Sequence, residues 1–144
     1  MYIHKGSCHC NAIRIELQTP RQPHEQIVGA CQCLFCRKHN ARTFSDPKSN
    51  TTLTVADPEY LQRYTFGLKT AEVVLCSRCG VYVAMVLIEG ERAWSVINID
   101  ALDEWTMFTQ AAEPRDYSAE DPHGRIERRK SRWAPTKLIG WPRP

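Results

Sequence analysis

Seven cysteines dominate the chemistry available to this 144-residue chain. They fall as Cys8-His-Cys10, as Cys31-Gln-Cys33-Leu-Phe-Cys36, and as Cys76-Ser-Arg-Cys79-Gly80. Clustered cysteines in a chain without a visible secretory signal read as metal ligands before they read as disulfides. In Cys76-x-x-Cys79-Gly80 a tight turn aims two thiolates at one point, and the glycine tolerates the left-handed backbone that such a turn needs. This knuckle supplies half of a tetrahedron. Cys8 and Cys10 can supply the other half, with Gly6 easing the approach of the chain. The closed four-sulfur site expected from these residues would stabilise the fold and do no chemistry. Cys31, Cys33 and Cys36 remain. Three thiolates from one short loop can hold a Zn²⁺ ion and leave its fourth position open to solvent or substrate, the mark of a catalytic zinc. Two other divisions stay open on spacing alone. One is a single Cys₄ site with three free cysteines. The other is a redox pair at Cys76 and Cys79, although no βαβ pattern surrounds it.

Neighbouring residues extend the candidate site. Arg37 and Lys38 follow Cys36, and Arg37 is the best placed by sequence to contact an anionic substrate. His39, three residues past Cys36, is a second candidate for substrate contact. His9, between two sulfurs, reads as a spacer. Tyr60, Tyr64, Phe66 and Trp94 read as core or pocket wall.

The elements that must position these residues are mostly strands. Ile13, Ile15 and Leu17 alternate with polar neighbours, which gives one buried and one wet face. Residues 51–55 are rich in β-branched side chains, as is Val73-Val74 running into Cys76. The apolar run 81–88, the turn Glu89-Gly90-Glu91 and the segment 94–99 form an expected hairpin. Only 37–41 and 101–108 offer short helical stretches. From Glu113 onward five prolines and many charges predict an irregular segment that packs back through Trp133 and Trp141. The expected division is therefore a zinc-binding β domain at 1–112 and a basic, Pro-rich extension at 113–144.

Charge is distributed unevenly. Residues 1–112 carry 11 basic and 11 acidic side chains, whereas 113–144 carry 8 and 5, so the excess of +3 lies in the extension. Its densest run is Arg128, Arg129, Lys130 and Arg132, read as a solvated terminal segment. The balanced body makes nucleic acid an unexpected partner. No apolar run approaches the ~20 residues of a membrane helix. The expected location is the cytoplasm. A chain of this length can bury roughly 70% of its unfolded surface, so metal is argued from the cysteines and not from size.

The order and intervals of the cysteine clusters, the Arg37-Lys38 pair and the strand after Cys79-Gly80 resemble the glutathione-dependent formaldehyde-activating family, which includes centromere protein V. The resemblance covers residues 2 to 105. It implies an all-β fold of zinc-containing antiparallel sheets packed as a small sandwich or tent, with few short helices. It implies two Zn²⁺ per chain, a structural one on Cys8, Cys10, Cys76 and Cys79 and a catalytic one on Cys31, Cys33 and Cys36. The activity implied is that of a carbon–sulfur lyase that adds glutathione to formaldehyde, giving S-hydroxymethylglutathione, or handles a related thiol and aldehyde. A second copy of the chain is a further candidate partner. Gln32, Leu34, Phe35 and Leu75 depart from the residues common in the family and bear on pocket shape. Two other readings compete: a non-catalytic zinc module whose basic tail contacts nucleic acid or an acidic protein, and a zinc or thiol reservoir without turnover.

Overall fold

The computed structural model describes residues 1–142. The elements in chain order are β1 (Tyr2–Ser7), β2 (Ile13–Thr19), β3 (Gly29–Cys31), α1 (Leu34–Lys38), β4 (Thr43–Phe44), β5 (Asn50–Val55), β6 (Leu61–Tyr64), β7 (Glu72–Cys76), β8 (Tyr82–Glu89), β9 (Arg92–Asn98), β10 (Glu113–Arg115), α2 (Pro122–Arg132) and β11 (Ala134–Ile139). Short 3-10 turns fill several connections. The fold is mostly β with few short helices, as expected.

Two leaves of sheet form the body. In the first, β1 pairs with β2, β2 with β5, and β5 with β11. In the second, β6, β7, β8 and β9 pair in sequence order, all antiparallel. The far edge of β9 is shared. Trp94 and Ser95 pair with Pro135 and Ala134 of β11, while Ile97 and Asn98 pair with Phe44 and Thr43 of β4. β11 therefore bridges the leaves, running parallel to β5 and antiparallel to β9.

The alternating residues Ile13, Ile15 and Leu17 of β2 and Leu53 and Val55 of β5 meet Val74, Val83, Val86 and Ile97 of the other leaf in one buried cluster. The opposite face of β8 is buried too. Tyr82, Met85 and Leu87 join Trp94, Trp133 and Cys36 in a second cluster. A strand covered on both faces has no wet positions, which explains the unbroken apolar run at 81–88.

The expectation of an irregular tail is corrected over residues 113–142. β10 pairs in parallel with β3, α2 spans 11 residues, and β11 lies inside the sheet. Asp121 caps α2 by accepting a hydrogen bond from Gly124 N, and Pro122 occupies the first turn, where its missing N–H costs nothing. A proline and an aspartate that look like loop residues thus start a helix. The expected anchors hold, since Trp133 and Trp141 are both buried. The short helix near Cys36 begins at Leu34 rather than Arg37 because Cys33 caps it, its sulfur accepting from Cys36 N. The stretch 101–108 is split into 3-10 turns rather than one helix.

Candidate metal centres and the cavity beside them

Cys8 and Cys10 sit in the loop between β1 and β2; Cys76 ends β7 and Cys79 follows in the next turn. The four sulfurs lie within 4.8 Å of one another. Cys8 Sγ is 3.7 Å from Cys10 Sγ, which is 3.5 Å from Cys76 Sγ. A tetrahedral ion with metal–sulfur bonds of about 2.3 Å demands sulfur separations of about 3.8 Å, so the donor set fits such an ion. Backbone amides support the sulfurs: Ile13 N donates to Cys8 Sγ at 3.3 Å and Cys79 N to Cys76 Sγ at 3.5 Å. Gly80 takes φ of 80° and donates its N–H to Cys76 O, which closes the knuckle. Gly6 answers a different need. A Cβ there would stand 2.2 Å from Ala101 O, so only glycine lets β1 pass the 3-10 turn and deliver the cysteine loop. Without an ion the four thiols differ. Burial pushes Cys8 up to about 12, and a hydrogen bond from Arg78 holds Cys10 down to about 6.

Cys31 ends β3, Cys33 caps α1 and Cys36 lies one turn into it. Their sulfurs also lie within 4.8 Å of one another. No fourth cysteine, histidine or carboxylate joins this grouping among the described residues. In the metal-free chain Cys36 hydrogen-bonds to Cys31 and holds it down to about 5, while that contact and burial push Cys36 up. Between them Cys31 is the thiolate and Cys36 keeps the proton.

The second grouping differs from the first in what lies next to it. Cys31, Cys33 and Cys36 line a cavity of about 910 Å³; none of the other four cysteines does. This volume falls at the upper end for small-molecule sites. Phe66, Met85 and Val96 give it an apolar wall. Tyr82 also lines it, with a hydroxyl that is buried and has no hydrogen-bond partner. Burial, and next the negative charge of the three-cysteine group, push its phenol up, so the hydroxyl stays protonated.

Arg37 and His39, the residues expected to touch substrate, are exposed and are not among the lining residues. α1 turns them outward, and the His39 ring instead packs on Phe35 and Tyr82. Most cations of the cavity come from the tail; Arg21 lines it from elsewhere and is paired with Asp46. Arg125, Arg128, Arg129 and Arg132 of α2 all line it. Sequence reasoning missed them and Tyr82. The signal for the arginines was present: positions i, i+3, i+4 and i+7 fall on one helix face. Tyr82 carried no such signal inside its apolar run.

The family model described as glutathione-dependent formaldehyde-activating enzyme matches residues 3–118. A crystal structure of a Rhodobacter sphaeroides protein is similar, with a TM-score of 0.52 at 28% identity over 69% of this chain and 87% of that one. The matched family region includes both cysteine groupings and ends before α2 and β11.

Proposed function

The chain belongs to the glutathione-dependent formaldehyde-activating family, and we propose on that premise that it is a zinc-dependent carbon–sulfur lyase-type enzyme acting on thiol–aldehyde adducts. Glutathione and formaldehyde, giving S-hydroxymethylglutathione, are the pair suggested by the family; a related thiol and aldehyde would use the same chemistry. Cys8, Cys10, Cys76 and Cys79 would hold a structural zinc, and Cys31, Cys33 and Cys36 a catalytic one. The observation that carries the reading is the opening of the three-sulfur grouping, and of no other cysteine, onto the large cavity.

A zinc ion held by Cys31, Cys33 and Cys36 would supply a Lewis acid and lower the pKa of an entering thiol. The rest is work for the protein's own residues. Phe66, Met85 and Val96 exclude water from the aldehyde. The thiol gives its proton to solvent, its sulfur attacks the carbonyl carbon, a C–S bond forms, the carbonyl π pair moves to oxygen, and that oxygen takes up a proton from solvent. The Tyr82 hydroxyl, protonated and without an internal partner, donates a hydrogen bond to that oxygen as its charge grows. Cleavage runs through the same contacts in reverse.

The reading as a nucleic-acid module is weakened by the state of the basic run. Arg128 is paired with Glu120 at 2.7 Å and Lys130 with Glu89 at 2.9 Å, while Arg129 turns inward over Trp133.

Thiols add to formaldehyde without help, so the test must measure exchange and not mere adduct. Exchange NMR of glutathione with formaldehyde should show faster formation and cleavage of the adduct with zinc-loaded protein, and the background rate with Cys33→Ala of unchanged circular dichroism. Equal exchange with and without the wild-type protein would refute catalysis.

A further inference from the structure

The cavity wall contributed by α2 carries more positive charge than its own partners balance. Arg125, Arg128, Arg129 and Arg132 form one stripe along the helix, where like charges at i, i+4 spacing destabilise. Glu120 is the carboxylate in ion-pair contact with the stripe, and it reaches two members, Arg128 at 2.7 Å and Arg125 at 3.4 Å. Among the described residues Arg129 meets no carboxylate. It donates to Thr70 Oγ1 at 2.8 Å, lies over the Trp133 ring at 4.8 Å, and leaves a buried Nε without a partner. Arg128 is fixed over Tyr117 at 3.6 Å. These guanidinium groups are held in place before any ligand arrives, so little entropy is lost on binding one. Four cations less Glu120 leave three positive charges on this wall; Asp116, which also lines the cavity, offsets one, while the lining Arg21 and Arg115 are paired with Asp46 and Glu113, and a zinc ion on three thiolates would carry a net charge of about −1.

We infer that the α2 arginine stripe is the subsite for a dianionic headgroup, a phosphate monoester, on the thiol that enters the three-cysteine cavity. The inference rests on the proposed thiol chemistry for its reactive end, and on the stripe for its anionic end. Because α2 lies beyond the region matched by the family, the headgroup preference belongs to this chain and not to the family pattern.

The competing role for the stripe is to neutralise the thiolates and so retain the metal. Titration calorimetry of the zinc-loaded protein separates the two, using pantetheine 4′-phosphate and pantetheine, which share a thiol and differ by the phosphate. Wild type should bind the phosphorylated thiol at least about tenfold more tightly, as expected for charge-assisted contacts. Arg129→Gln should erase that preference with zinc content unchanged. Glu120→Gln, which removes the internal anion, should widen it. Arg132 is exposed, so Arg132→Gln serves if Arg129→Gln fails to fold; it should narrow the preference about threefold. An equal affinity of wild type for the two thiols, or loss of zinc from the arginine variants, would overturn the inference. Binding is read without turnover, so a protein that binds the phosphorylated thiol but fails to accelerate exchange refutes the lyase reading alone.

Discussion

The two cysteine groupings offer one donor chemistry in two different settings. The four-sulfur group joins the β1–β2 loop to the end of β7, receives backbone N–H donors and does not line the 910 Å³ cavity. The three-sulfur group sits on a three-residue strand and a five-residue helix, lacks a fourth donor and faces the 910 Å³ cavity. Ligand count and access, not ligand type, separate a structural from a reactive thiolate site. The supports differ in the same sense. The four-sulfur group is braced by elements inside the main core, whereas one wall beside the three-sulfur group is a helix delivered by the tail.

The strongest way to break this comparison is Cys76→Ala. Cys76 is fully buried and ties two parts of the fold, so its loss should cost on the order of 5 kcal/mol or more and unfold much of the population in urea titrations followed by circular dichroism. Melting like wild type would remove the structural role. Cys33→Ala should do the reverse. Zinc per chain should fall by one, adduct exchange should return to background, and stability should change by less than about 1.5 kcal/mol. Metal removal sharpens the contrast further. A mild chelator should empty the three-sulfur site first, and native mass spectrometry should show a one-zinc species that retains its fold; simultaneous loss of both ions would contradict the assignment.

A smaller effect appears in the metal-free protein. Cys31, held down to about 5, is already a thiolate at pH 6, so raising the pH to 9 should change its alkylation rate little. Cys8, pushed up to about 12, is still a thiol throughout that range, and the thiolate gained with each pH unit should raise its slow rate about tenfold. Peptide mapping after iodoacetamide treatment reads both, and a steep rise at Cys31 would break the contrast. The least effect is expected from Arg37→Ala. An exposed side chain away from the cavity lining should alter stability by no more than about 0.5 kcal/mol and leave adduct exchange within about twofold of wild type.

How far these sites could be read beforehand depended on the range of the information. Cysteine spacing is local, and the structure brings together the same two groupings that it suggests. Alternation at 13–17 and the hairpin at 89–91 are local as well, and both appear as expected. The tail was illegible for two physical reasons. Pro122 and Asp121 favour loops and helix starts alike, and the following arginine stripe looks solvated until something covers it. The position of β11 between β5 and β9 is set by partners far away in the chain, such as Thr51 for Thr136, and no window of sequence contains both. Tyr82 was hidden because what distinguishes it is a buried hydroxyl without a partner, which composition cannot register.

The placement of β11 also bears on how the chain reaches its folded state. Residues 134–135 must find β9, and residues 136–139 must find β5, across long intervening stretches. Pairings of such sequence separation form late and slowly, because the loop entropy is spent before the contacts return it. Until then β5 and half of β9 present unpaired edges, which are templates for association with other chains. Destabilising α2 or β11 should therefore reveal itself first in slower refolding and greater aggregation during synthesis, before any loss of zinc from the mature protein.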